Sequence, residues 1–316
     1  MRPFDPFFKN PHLATIAGNF WKRPDPSTIA PSREEIYETA PNVQVLSRAH
    51  YPAKARAEMV LVHGLEGSSE SGYMLSMAHA ALSSGIAVHR FNMRGCGGTE
   101  ALSITSYHAG QTSDVLHLLQ ERKRKSGLPL YLVGFSLGAN VSLKLAGELG
   151  ESASKLLAAV ASVCAPIDLS ACADALQLPG NRLYQSRFLE RLKARIVRRN
   201  QQAPEMYTLE HLPKINTIRE FDDHYTGPLF GFGNAANYFR TQSSNQYLEK
   251  IRIPALVIHA KDDPMIPGRV YDHPAFAANP NLQLVSTEHG GHLGFLSKRN
   301  PRFWVDQAVM GWIGRS

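Results

Sequence analysis

Along most of this chain, apolar positions recur with two alternating periods. Met59-Val60-Leu61-Val62-His63 is a β-branched run halted by Gly64; Tyr73 to Ser83 then carries apolar residues at helical spacing, and Ile86 to Phe91 is apolar again. The pattern continues with a predicted helix from His108 to Lys125, a strand from Leu130 to Phe135, a helix from Leu137 to Glu148 and a strand from Leu157 to Val163. Near-continuous apolar strands separated by helices predict an α/β fold with a mostly parallel central sheet and helices on both faces, because each such strand buries both of its sides.

Two stretches leave this rhythm. Residues 1–40, with Phe4, Phe7, Phe8, Phe20 and Trp21 among several prolines, follow neither period and predict an ordered N-terminal arm packed on the main body. Short extended segments at Val43 to Leu46 and around Arg48 to Tyr51 suit antiparallel edge strands. Residues 166–245 break into helical, polar and Gly-rich pieces, including Gly227-Pro228-Leu229-Phe230-Gly231-Phe232-Gly233, and predict an inserted helical cap. Alternation then resumes with Ala255 to His259, Leu282 to Val285 and a closing helix near Phe303 to Ile313. One sheet therefore brackets the insertion, and residues 1–316 read as a single domain.

Composition narrows the class. With 43% hydrophobic and 19% charged residues, the chain has material for a large core and too little charge for disorder. The formal charge of +7 directs attention to the densest basic stretch, Arg187 to Arg199, where charges interleave with Phe188, Leu189, Leu192, Ile196 and Val197 as in an amphipathic helix. Two readings stand: a solvated helix face, or peripheral contact with an anionic membrane. No nucleic-acid motif accompanies it, so no nucleic-acid partner is expected. Cys96, Cys164 and Cys172 lack metal-ligand spacing and suggest neither a disulfide framework nor a zinc site. The N-terminus lacks the apolar run of a signal peptide, and the longest apolar stretch, Leu156 to Ile167, is too short to span a bilayer; the expectation is a cytoplasmic protein.

The chemistry concentrates in three places. Gly134-Phe135-Ser136-Leu137-Gly138 is a G-x-S-x-G string between a predicted strand and a predicted helix, the context a nucleophile elbow requires. Its glycines let the two backbones pass closely at a sharp turn, presenting the Ser136 hydroxyl above the sheet in a strained conformation. A serine hydroxyl needs a neighbouring base to attack at neutral pH. Glu288-His289-Gly290-Gly291-His292, after the last predicted strand, offers two histidines, of which His292 is preferred. The acid that orients the imidazole is expected at a strand end, where Asp262 and Asp263 follow Ala260-Lys261; Asp263 is the preferred partner and Asp262 the loop-capping alternative.

Backbone amides should stabilise the oxyanion, with Leu137 and Leu65 the expected donors. His63, before the Gly64 turn, reads as a loop-holding residue rather than a base. In the cap, Tyr225, Phe230, Phe232, Tyr238 and Phe239 read either as an acyl pocket, with Phe230, Phe232 and Tyr238 as candidate substrate-binding residues, or as cap core. None of this chemistry calls for a metal or an organic cofactor.

Asn10-Pro11-His12-Leu13 with Thr15, His63-Gly64-Leu65-Glu66-Gly67-Ser68 with Tyr73, Asn92-Met93-Arg94-Gly95-Cys96-Gly97-Gly98, the Ser136 elbow through Asn140, Asp262-Asp263-Pro264, and Gly290-Gly291-His292-Leu293-Gly294-Phe295 together resemble the α/β-hydrolase family. Within it they are most similar to the branch of bacterial YheT-type hydrolases and plant EMB8-like proteins. The resemblance spans most of the chain and implies a Ser136, Asp263 and His292 triad with carboxylesterase or lipase-like activity on small-molecule or lipid esters. Arg94 is left with two roles, binding a substrate anion or bracing loops. The expected function is a serine hydrolase that forms an acyl-enzyme on Ser136; an acyltransferase with the same triad and a non-catalytic binding scaffold are the alternatives.

Overall fold

A computed structural model describes residues 2–315. Its strands are β1 (Ser32–Ala40), β2 (Val43–His50), β3 (Ala57–Val62), β4 (Ile86–Phe91), β5 (Leu130–Phe135), β6 (Ala159–Val163), β7 (Ala255–Ala260) and β8 (Leu282–Thr287). They form one eight-stranded sheet of order β1-β2-β4-β3-β5-β6-β7-β8. The pairings of β1 with β2 and of β2 with β4 are antiparallel, and all others are parallel.

Helices α1 (Pro11–Phe20), α2 (Gly72–Ser83), α3 (Ser113–Ser126) and α4 (Leu137–Leu149) lead into a segment between β6 and β7 that leaves the sheet. That segment contains α5 (Leu169–Leu176), α6 (Arg182–Gln202) and α7 (Ala235–Gln242), and the chain ends in α8 (Trp304–Ile313). Alternation along β3 divides the core. Met59 and Leu61 pack with Met74 and Met77 of α2 and Val309 of α8, whereas Val60 and Val62 pack with Leu118 of α3, Val141 of α4 and the helices between β6 and β7.

The arm differs from its sequence reading, since its last 9 residues join the sheet as β1. An edge strand pairs on one side only, and this one buries Tyr37 while leaving Ile36 exposed. Little apolar periodicity is then required, and cross-strand contacts such as Glu34 to Arg48 at 2.7 Å hold the register instead. The two extended segments expected at 43–51 are one continuous strand, β2. Residues 108–111 are a loop rather than the first turn of α3, because the Ala109 amide donates to the Tyr238 hydroxyl at 2.8 Å and the Ala109 carbonyl accepts from the Asn140 side chain at 2.9 Å.

Two arginines of the basic stretch of α6 are turned to internal use. Arg195 pairs with Glu66 at 2.6 Å and lies over the Tyr107 ring at 4.7 Å. Arg199 donates to the carbonyls of Glu100 at 2.8 Å, Thr105 at 3.1 Å and Ser103. These arginines tie the cap helix to loops that border the site, while Arg187 and Arg191 remain exposed. Among the described residues, no helix is long and apolar enough to cross a membrane.

Candidate active site

The chain passes from β5 into α4 through a single residue. Ser136 has φ +52° and ψ −121°, a conformation L-residues adopt only where their surroundings enforce it. The surroundings are visible in its neighbours. A Cβ on Gly134 would meet the Ser142 hydroxyl at 2.5 Å, and one on Gly138 would meet the His63 carbonyl at 2.5 Å as well as the Val62 carbonyl. The Ser136 amide donates to the Val163 carbonyl at 2.8 Å, which fixes the elbow to the adjacent strand.

The loop after β8 brings His292 to this serine. His292 Nε2 lies 2.9 Å from Ser136 Oγ, and His292 Nδ1 lies 2.8 Å from Asp263 Oδ2. Both His292 and Asp263 are buried. The other carboxylate oxygen of Asp263 accepts from the amides of Met265 at 2.8 Å and Ile266 at 3.1 Å, so the acid is oriented by its own loop. Asp262 faces elsewhere: it accepts from the Gly291 amide at 2.9 Å and lies 3.2 Å from His289 Nδ1, holding the histidine loop without touching His292.

Beside the hydroxyl, two backbone amides stand apart from their neighbours. The amide of Gly64 donates to the Tyr73 hydroxyl at 3.0 Å, that of Glu66 to the Tyr107 hydroxyl at 2.8 Å, and that of Ser136 to Val163. Between them, the amides of Leu65 and Leu137 have no acceptor among the described residues. Such paired donors near a nucleophile suit a developing oxyanion. His63 braces this turn: its Nδ1 lies 2.8 Å from the Gly64 carbonyl, and its Nε2 accepts the Met93 amide at 3.1 Å. That pattern requires the proton on Nδ1 of a neutral ring, in keeping with burial pushing its pKa down to about 4. Arg94 is likewise a brace, forked onto Asp114 at 2.6 and 2.7 Å with a third bond to Thr105 at 3.0 Å.

Comparison with known proteins identifies the family. The model for the alpha/beta hydrolase fold matches residues 59–299. The chain belongs to the α/β-hydrolase family. It is 32% identical over 313 residues to YheT of Escherichia coli, named as a presumptive esterase, covering 97% of this chain and 91% of that protein. It is also 32% identical to the monoacylglycerol lipase of Saccharomyces cerevisiae over 271 residues, 82% of this chain and 59% of that lipase. In fold it is similar to the Pyrococcus furiosus esterase Pf2001, with a TM-score of 0.60 at 16% identity, covering 93% of this chain and 99% of that one.

Two cavities of this α/β hydrolase meet at Ser136 and His292. One of about 110 Å³ lies under the cap, with Leu169, Leu192, Phe221, Tyr238 and Phe239 in its wall. The other, of about 170 Å³, runs between α1 and α6 and is bordered by Ile16, Phe20, Tyr184, Arg187 and Arg191. Of the cap aromatics singled out from sequence, Tyr238 and Phe239 reach the first cavity. Phe230 and Phe232 do not line it; they sit behind His108, with ring centroids 4.7 and 5.2 Å from that ring. The reason is local: the Phe232 and Gly233 amides both donate to the Gly227 carbonyl, at 2.8 and 3.0 Å, folding the turn back on itself. Tyr225 donates to the Thr208 carbonyl at 2.7 Å and packs against Phe221 within the cap.

Sequence reasoning missed Tyr107, Arg195 and Asp222, all in the wall of the first cavity. None lies in a motif, and only the folded chain gathers them. Cys164, Asp263 and His292 are the one group among the described residues whose donor atoms are spaced as for a metal, within 4.8 Å. Burial holds the Cys164 thiol protonated, and both His292 nitrogens already face Ser136 and Asp263, so the group suits proton transfer better than cation binding.

Proposed function

We propose that this α/β hydrolase is a serine esterase that cleaves carboxylic esters through an acyl-enzyme on Ser136. The hydrogen-bonded path from Ser136 Oγ through His292 to Asp263, at 2.9 and 2.8 Å, carries this reading. His292 Nε2 takes the hydroxyl proton as Oγ attacks the ester carbonyl, and the new oxyanion receives the Leu65 and Leu137 amides. Asp263 keeps the imidazole in the right tautomer and stabilises the imidazolium. Collapse of the intermediate breaks the bond to the alcohol, which leaves with the proton from His292. Water activated by the same imidazole then attacks the acyl-enzyme, releasing the acid and restoring the serine.

The cavity under the cap, walled mainly by apolar side chains, suits the acyl chain, and the cavity between α1 and α6, bordered by Arg187 and Arg191, suits the alcohol portion; Ser136 and His292 line both. Small-molecule or lipid esters are the proposed substrates; relatives named as a monoacylglycerol lipase and as phospholipase ABHD3 support that range.

Incubating the intact protein with a fluorophosphonate probe and with p-nitrophenyl esters of increasing acyl length tests the proposal. We expect covalent labelling and hydrolysis, both lost in Ser136→Ala. Folded wild-type protein that neither labels nor hydrolyses any of the esters would defeat it.

A further inference from the structure

Asn10, Pro11, His12 and Thr15 take no part in the chemistry proposed above, yet each makes a specific contact around it. The Asn10 side chain caps α1, accepting from the His12 and Leu13 amides at 3.0 Å each, and Pro11 occupies the first helical position. One turn on, the Thr15 hydroxyl donates to the Pro11 carbonyl at 2.7 Å and accepts the backbone amide of His292 at 2.8 Å. The direction of this relay is fixed. A hydroxyl has one proton and the Pro11 carbonyl can only accept, so a lone pair of Thr15 is left for the buried His292 amide.

The surrounding contacts leave the loop little room. A Cβ on Gly291 would meet the Thr15 hydroxyl at 2.5 Å and the Pro11 carbonyl, and one on Gly18 would meet the Gly294 Cα at 2.6 Å. The same helix also touches the cap: His12 Nδ1 lies 3.1 Å from the Tyr184 hydroxyl of α6, with the rings stacked at 5.7 Å.

We infer that α1 bolts the loop of the general base to the cap, and that Thr15 is a positioning residue for His292. The inference rests on the esterase reading, since it concerns the aim of the base in that reaction. The His292 loop lies outside helix and strand, and Leu293 and Phe295 hold positive φ values of +59° and +24°. No ladder of backbone bonds therefore sets the loop: Asp263 orients the imidazole, Asp262 holds the Gly291 amide, and the His292 backbone amide itself is held by a hydroxyl 277 residues earlier in the chain.

The test compares Thr15→Val, which keeps the shape and removes the hydroxyl, with Thr15→Ser, which keeps the hydroxyl, on a short soluble p-nitrophenyl ester. We expect kcat to fall about 10- to 100-fold in Thr15→Val with KM within about twofold, and to recover to near the wild-type value in Thr15→Ser. Fluorophosphonate labelling should slow in parallel. Gly18→Ala, which keeps the Thr15 side chain but forces α1, and Thr15 with it, away from the histidine loop, should lower kcat in the same way and keeps the test open if Thr15→Val does not fold. Folded Thr15→Val, or in its absence folded Gly18→Ala, with wild-type kcat and labelling rate would overturn the inference, even if its melting temperature were lower. A wild-type protein that does not label would instead defeat the esterase reading on which it stands.

Discussion

The Ser136 elbow and the His292 loop meet across a 2.9 Å contact, but one is held against the sheet and the other against α1 and polar side chains. At the elbow the constraint is crowding between backbones: Gly134 and Gly138 sit where no side chain fits, and the serine's own amide bonds to the next strand. At the histidine loop, close packing of Gly291 and Gly294 on α1 is joined by polar contacts from outside the sheet: Asp262 with the Gly291 amide, Asp263 with the His292 ring and Thr15 with the His292 amide. The geometry at Ser136 is thus inseparable from the sheet, whereas the aim of His292 can be loosened while the fold survives.

The largest expected effect comes from breaking the first constraint. Gly138→Ala drives a methyl into the carbonyls of Val62 and His63, neither free to move within the sheet region. A loss of about 3 kcal/mol, read as a fall of roughly 5 °C in melting temperature, should accompany the loss of activity. A variant that melts like the wild type would mean the elbow is not held by crowding.

Asp263→Asn should leave melting nearly unchanged and lower kcat by about 10⁴-fold, because the amide reverses the hydrogen bond that fixes the imidazole tautomer. Asp262→Asn, acting only through the Gly291 amide and His289, should cost about tenfold. Ester hydrolysis by the two purified variants ranks them, and equal losses would erase the distinction between orienting the base and holding its loop.

The smallest effect lies outside both loops. Asp222, in the wall of the cavity under the cap, has its carboxyl pushed up to about 7, chiefly by burial and partly offset by the Thr226 hydroxyl. A pKa raised by folding means that the neutral acid is favoured in the native state. Its contribution is complete below the ordinary value of 3.8 and is lost as pH rises through about 7. Asn is neutral throughout, so Asp222→Asn should narrow the difference in melting temperature between pH 5 and pH 8 by a few degrees. Calorimetry at the two pH values measures it, and an unchanged difference would show that Asp222 is charged in the folded protein.

The sequence by itself determined the parallel sheet, the helices between its strands, the insertion after β6, and the three candidate residues Ser136, Asp263 and His292. Each is written in contiguous residues: a period of two or 3.6, a glycine turn between strand and helix, an acid or histidine just past a strand. Only the tertiary structure decided that Ser32–Ala40 is a strand, that Arg195 and Arg199 point inward, that Phe230 and Phe232 fall behind His108, and that Thr15 reaches the His292 backbone. These outcomes depend on polar and aromatic groups far apart in the chain, and a hydrogen bond across 277 residues leaves no periodic trace in either segment it joins.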